Sequence, residues 1–70
     1  MNKQIIYHDN GNICEESFYQ DGRRNGECIT YYENGEKELV GYFKNGRPTG
    51  IWMTWDKDGD YDWINMDVTY

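Results

Sequence analysis

The side chains that could carry out chemistry in this chain are few. His8 is the only histidine, Ser17 the only serine, and Cys14 and Cys28 are the only cysteines. Nucleophilic catalysis needs a nucleophile, a base and a group that orients the base, all within hydrogen-bond reach. Turn signals place His8 and Ser17 on different strands, and no third group is positioned to orient a base. We therefore predict no catalytic residues, no enzyme activity and no cofactor.

A run of alternating aspartates could bind a cation instead. Asp56, Asp58, Asp60 and Asp62 flank Gly59. An EF-hand calcium loop has glycine at its sixth position and a helix on each side, whereas Gly59 is the fourth residue counted from Asp56. We favour an acidic hairpin over a metal site, and we expect these four carboxylates to steer a basic partner.

The two cysteines are predicted to be free thiols. Pairing across the 20–26 loop would place Cys28 near Phe18 and Cys14 near Tyr32, which leaves the two Cα atoms beyond the limit of about 7 Å for a disulfide. His8 is the only further nitrogen or sulfur ligand, so a zinc site is not predicted.

The elements that position these residues repeat every 24 residues. Gly11, Gly35 and Gly59 have this spacing, and so do Tyr7, Tyr31 and Trp55. A fixed period of this length is typical of repeat proteins, in which stacked units build one surface.

Asn-Gly and Asp-Gly turn signals separate runs of aromatic and β-branched residues, which predicts hairpins. We expect strands near 3–8, 13–19, 27–33, 37–43, 51–56 and 61–68. The predicted fold is all-β, a single-layer antiparallel meander of about six strands. The structural turn glycines are Gly11, Gly22, Gly26, Gly35, Gly46, Gly50 and Gly59.

The turns are expected to alternate between two kinds. Asn10-Gly11, Asn34-Gly35 and Asp58-Gly59 are predicted as two-residue hairpins, and 20–26 and 44–50 as longer loops. This register places Cys28 opposite Gly41 and Trp52 opposite Asn65, so that a small residue lies beside a large one.

Composition narrows the class of partner. The 70 residues have a net charge of −6, which argues against binding to nucleic acid or to anionic lipid. The start of the chain has no apolar signal-peptide segment, and no apolar run approaches the 18 residues of a membrane span. We therefore expect a cytoplasmic protein with no membrane contact.

The segment 41–52, Gly-Tyr-Phe-Lys-Asn-Gly-Arg-Pro-Thr-Gly-Ile-Trp, resembles the bacterial variant of the MORN repeat, and 17–28 is a degraded copy. Tyr31-Tyr32-Glu33-Asn34-Gly35 matches the tail of the pattern. The resemblance implies one domain, 1–70, with copies at about 7–30, 31–54 and 55–70. It also implies a curved single-layer sheet used for binding, in a family often described as antitoxin-like. Cys28 replaces the tryptophan of the pattern, and Ser17 and Asn65 replace its glycine, as in capping units.

The aromatic residues suggest where a partner would bind. Seventy residues cannot bury all of the large rings, and a contiguous exposed apolar patch marks an interaction site. We expect one face of the sheet to bind another protein through Trp52, Trp55, Trp63, Tyr42 and Phe43.

The turns add a charge asymmetry. Those at 20–26 and 44–50 carry net charges of +1 and +2, whereas those at 8–12, 33–37 and 56–60 carry −1, −1 and −2. The predicted function is a protein-binding module that neutralises or scaffolds a partner with a basic patch. Two alternatives stay open: an acidic mimic of nucleic acid that inhibits a nuclease or defence complex, and self-association through the sheet edges.

Overall fold

Six antiparallel strands follow one another in a single sheet, and each pairs with the next along the chain. The structure, a computed structural model, describes residues 2–67. Its Cα atoms span 37 × 30 × 11 Å, so the sheet is one layer thick. The predicted all-β meander is confirmed. The strands are β1 (Asn2–Tyr7), β2 (Ile13–Gln20), β3 (Arg23–Tyr31), β4 (Lys37–Lys44), β5 (Arg47–Trp55) and β6 (Tyr61–Asn65).

The two faces of the sheet carry different rows of side chains. Residues opposite one another on neighbouring strands share a face, and successive residues of a strand alternate between faces. We call one side the core face, which carries Ser17, Cys28, Gly41 and Trp52. The other side is the open face, and one row crosses all six strands on it: Ile5, Glu16, Ile29, Val40, Met53 and Trp63.

On the core face, the ring of Trp52 lies directly against Gly41. A methyl group at Gly41 would overlap the ring atoms of Trp52, so only glycine leaves room for the indole. The ring is 8% exposed, and its Nε1–H donates to the Thr49 carbonyl at 3.1 Å. The edge of Phe43 meets Trp52 at 5.1 Å between ring centroids and an angle of 87°, a favoured arrangement of two rings.

In the first unit, the positions equivalent to Gly41 and Trp52 hold two small residues. Ser17 and Cys28 precede Gly41 and Trp52 by 24 positions, and they pair directly across β2 and β3. Both are buried, at 1% and 4% exposed. The predicted pairing of Cys28 with Gly41 is confirmed. On its other side Cys28 pairs with Ser17, so the predicted neighbour Phe18 is wrong. Cys14 and Cys28 are free thiols.

The strands β3 and β5 begin four residues earlier than predicted, because two glycines assigned to turns lie inside them. Around Gly26 and around Gly50, three residues of the strand lie opposite a single residue of the neighbouring strand. Both glycines have positive φ, of 112° and 73°. Such bulges bend a strand without ending it. Pro48 is also part of β5, where it pairs with Phe43.

The two kinds of turn are the reverse of the prediction. Asp21-Gly22 and Asn45-Gly46 form the two-residue hairpins, with positive φ at both residues, as type I′ turns require. At Asn10-Gly11 the loop has three residues, because the Gly11 N–H donates to the His8 carbonyl at 3.0 Å. Only the glycine has positive φ there. The Asn10 side chain instead accepts the Asn12 N–H at 2.9 Å, which favours this turn.

The extra residue in the last of these loops changes the register of β6. Trp52 pairs with Ile64, and Ile51 pairs with Asn65, so the predicted pairing of Trp52 with Asn65 is wrong. In the earlier hairpins a bulge beside the loop restores the expected register, and β5–β6 has none. A shift of one residue exchanges the two faces of a strand, so Trp63 lies on the open face. The strand β6 ends at Asn65, and the predicted extension to residue 68 lies partly outside the described residues.

Side-chain hydrogen bonds join each unit to the next at the three-residue loops. His8 Nε2 lies 2.8 Å from the Tyr31 carbonyl oxygen, and the Tyr32 hydroxyl, 24 residues later, donates to the Trp55 carbonyl at 2.6 Å. Asn10 and Asn12 both donate to the Glu33 carbonyl. The units are therefore held together by side chains as well as by the strand pairs.

We predict that the Gly41–Trp52 contact can be replaced by the Ser17–Cys28 pair of the first unit. Gly41→Ser alone should destabilise the fold by about 1–3 kcal/mol through overpacking, and Trp52→Cys alone by about 3–5 kcal/mol. Because each change relieves the other, the double variant should be at least about 1 kcal/mol more stable than the sum of the single effects. Urea unfolding measures all three.

Gly46→Ser is the control, because a Cβ added at Gly46 would have only the Arg23 Cβ within 4 Å, at 3.9 Å, and would not meet Trp52. Its effect should add to that of Trp52→Cys without coupling. A Gly41→Ser and Trp52→Cys pair that is also additive would contradict the proposed packing.

Candidate protein-binding face

The core face is covered by its own side chains. Arg24 extends over it, and its guanidinium carbon lies 5.4 Å from the ring centroid of Tyr19 and 5.5 Å from that of Phe43. Its Nη2 is 3.4 Å from a carboxylate oxygen of Glu15, and its Nη1 is 3.5 Å from Cys28 Sγ. The rings and the arginine thus leave little apolar surface exposed at the centre of this face.

The open face has no such cover over strands β4–β6. Met53 pairs with Trp63 and Trp55 pairs with Tyr61 across β5 and β6. Tyr42 and Ile51 lie on the same face, towards the two-residue turns. Four of these side chains are more than half exposed: Tyr42 (52%), Ile51 (51%), Trp63 (59%) and Tyr61 (65%). We call Tyr42, Ile51, Met53, Tyr61 and Trp63 the open-face patch.

Charges surround the open-face patch but do not enter it. Lys44, two residues from Tyr42, lies on this face and pairs with Arg47. At the other end of β4, Lys37 pairs with Tyr31 of the same face, because the strand pairing shifts by one residue there. Glu27 lies opposite Tyr42 on β3. Partial burial, and then the carboxylates of Glu16 and Glu27, raise the pKa of Tyr31 on the same face. An apolar centre with a charged rim is the usual anatomy of a protein interface.

A protein family with this repeat architecture matches the chain. The model of the MORN repeat variant matches residues 2–21 and 24–45, which is more than half of the chain. The chain belongs to the MORN repeat variant family. Each matched segment holds one hairpin joined by a three-residue loop, β1–β2 and β3–β4. Comparisons with curated proteins and with solved structures found no match.

MORN repeats are generally thought to mediate protein or membrane interactions, so family and geometry both indicate a binding surface. Among residues 2–67 there is no helix long and apolar enough to cross a membrane.

The aromatic residues predicted to bind a partner are divided between the two faces of the MORN sheet. Trp52 and Phe43 pack against each other on the core face. Trp63, Tyr42 and Trp55 belong to the open face, where Trp55 is half-buried. The expectation that all five share one face is therefore wrong, and the reason is the strict alternation of neighbours such as Tyr42 and Phe43.

Sequence reasoning missed Ile51, Met53 and Tyr61. All three lie an even number of residues from Trp55 or Trp63 on the same strand, so they share the open face. This spacing of two was available in the sequence, and it would have identified them once Trp63 was assigned to that face.

The predicted acidic set is used largely by the backbone of its own hairpin. Asp56 Oδ1 accepts the N–H groups of Asp58 and Asp60 at 2.9 and 3.0 Å, and Asp62 Oδ1 accepts the Trp63 N–H at 2.8 Å. Within residues 2–67 no three histidine, cysteine or acidic side chains come together in a way that could hold a metal ion. The carboxylates thus shape the loop and leave it strongly negative.

His8 and Ser17 are also used by the fold. The His8 ring contacts the Tyr31 carbonyl, and the buried Ser17 hydroxyl donates to Glu15 at 3.3 Å. Arg24, which contributes to the net charge of +1 of the 20–26 turn, forms an ion pair with Glu15 on the core face. The positive charge at the 20–26 turn is therefore smaller than the sequence suggested.

We predict that Cys28 reacts more slowly with iodoacetamide than Cys14 in the folded protein. Burial, and then the Glu15 carboxylate, raise the pKa of the Cys28 thiol, and nearby Arg24 only partly opposes them. A raised pKa leaves less of the reactive thiolate at pH 8. Mass spectrometry of each alkylated cysteine measures the two rates.

The same reaction in 8 M urea is the control, and there the two cysteines should react at similar rates. Equal rates in the folded protein would contradict the burial of Cys28.

Proposed function

We propose that this MORN protein is a non-enzymatic module that binds another protein through the open-face patch. The observation that carries the proposal is the set of four side chains on one face of β4–β6, Tyr42, Ile51, Tyr61 and Trp63, each of which is more than half exposed. Monomeric proteins rarely expose large rings together unless the surface binds something, and tryptophan and tyrosine contribute most of the binding energy at many interfaces.

A protein partner suits the charge better than a lipid surface does. The chain has a net charge of −6, and the surface of a cytoplasmic leaflet is also negative. Lys44 and Arg47 pair with each other, but Lys37 lies at the other end of β4, and three cations are too few to form a polybasic segment. The exposed carboxylates of the last loop would meet a basic area on the partner, next to the apolar contact.

The absence of enzyme activity is part of the proposal. It is supported by the use of His8 and Ser17 in hydrogen bonds that hold the sheet together. The two free thiols suit the reducing cytoplasm, where we place the protein. Binding without chemistry would allow the module to neutralise its partner, as an antitoxin or immunity protein does, or to act as a scaffold for it.

We predict that Trp63→Ala weakens partner binding by roughly 2–4 kcal/mol, because it removes the largest exposed ring of the open-face patch. The partner is first captured from a lysate of the host on the immobilised chain and identified by mass spectrometry. Its affinity is then measured by calorimetry for the wild type and each variant.

Ile64→Ala is a matched control, because Ile64 is the next residue of β6, is similarly exposed (56%) and lies on the core face. It should bind as the wild type does. Equal affinity for the Trp63→Ala variant, with its fold intact by circular dichroism, would exclude the open-face patch.

Salt dependence separates this proposal from an acidic mimic of nucleic acid. Binding through an apolar patch should change little between 50 and 300 mM salt. Binding that falls steeply with salt and is competed by DNA or RNA would favour the mimic.

A further inference from the structure

The two outer strands of the sheet differ in how open they are to further pairing. Within residues 2–67, β1 pairs on one side only, with β2, and all six of its residues are exposed. It contains no proline, glycine or acidic residue, and Lys3 is its only charge. Such a strand lacks the features by which proteins protect a sheet edge from other chains.

The opposite edge has those features. The strand β6 has only five residues, and the Asp62 carboxylate accepts the backbone N–H of Trp63. Asp60 precedes β6, Asp62 lies within it, and Asp67 follows it. Charged side chains and an N–H that already has a partner make this edge a poor template for another strand.

The contacts between units show why one copy cannot add to the end of another. His8 and Tyr32 each reach a carbonyl oxygen of the following unit, those of Tyr31 and Trp55. Asp56 occupies the equivalent position in the last unit. If β1 of a second copy followed β6, Asp56 would meet the Tyr7 carbonyl, and two acceptors cannot form a hydrogen bond.

The β1 edge is also less acidic than the β6 edge, which favours it as the place where two copies of this acidic chain meet. Lys3 Nζ lies 4.0 Å from a carboxylate oxygen of Glu16, and Arg24 pairs with Glu15. Both carboxylates of the neighbouring strand therefore have a cationic partner. Repulsion between two copies is therefore smaller along this edge than along β6, and the apolar side chains Ile5, Ile6 and Tyr7 lie there.

We propose that two copies of the chain pair through β1, antiparallel about a twofold axis perpendicular to the sheet. This axis keeps each open face on the same side, so the two sheets join into one continuous sheet. A register centred on Ile5 places Ile5 opposite its own counterpart and Lys3 opposite Tyr7, all on the open face. Because the contact is isologous, assembly stops at two copies. The open-face patches stay free, so this pairing does not depend on the proposed function.

Sedimentation velocity of the full chain over a range of concentrations tests the proposal. We expect a monomer–dimer equilibrium in the wild type. Ile5→Lys should raise the dimer dissociation constant roughly tenfold or more, because it sets two like charges opposite each other at the centre of the contact. The monomer should tolerate this change, since residue 5 is exposed and faces Glu16. Circular dichroism confirms that each variant is folded.

Ile64→Lys is the matched control on the opposite edge strand, and it should dimerise as the wild type does. Trp63→Ala should also leave the dimer intact, which separates this contact from the open-face patch. A wild type that is monomeric at all concentrations, or that forms longer assemblies, would overturn the proposal. So would a dimer that survives Ile5→Lys or is lost with Ile64→Lys or Trp63→Ala.

Discussion

The structure depends on the indole of Trp52 lying directly against the backbone at Gly41. A sheet one layer thick has no second sheet or helix to cover it, so its buried surface must come from side chains lying flat on their own strands. The absence of a side chain at Gly41 provides the space, and Phe43 closes one side of the ring. The first unit solves the same problem with Ser17 and Cys28, which are small enough to pair directly. The two units thus fill equivalent positions with different pairs of residues, one of which includes a large ring and the other only small side chains.

This packing determines what the rest of the sheet can do. Trp52, Phe43 and Arg24 cover the core face, so the buried contacts that stabilise the fold are concentrated there. The open face is then free to present Trp63, Tyr61 and Tyr42 to a partner. Hydrogen bonds from His8 and Tyr32 to the following unit hold the strands side by side. A domain of this size cannot bury all of its aromatic side chains. Some of them form the core on one face, and the others are exposed on the opposite face.

The aspartates of the last unit connect loop structure with association. Asp56 stands where earlier units have a donor, and it caps its own loop instead of reaching onward. Asp62 does the same for an N–H of the edge strand. The residues that looked like a metal loop or a steering surface in the sequence therefore also form hydrogen bonds within their own hairpin.

The sequence by itself determined the architecture, because the 24-residue spacing of glycine and aromatic residues is local information that specifies strands, turns and their order. It also located the small residue at Gly41 opposite Cys28. It did not determine the kind of each turn, since Asn-Gly and Asp-Gly fit both a two-residue and a three-residue loop. That choice changes the register by one residue and exchanges the faces of a strand, so only the tertiary structure placed Trp63 with Tyr42 and separated them from Trp52 and Phe43. Which aromatic side chains share the open face is thus a property of the register, which depends on hydrogen bonds between strands and not on residue type alone.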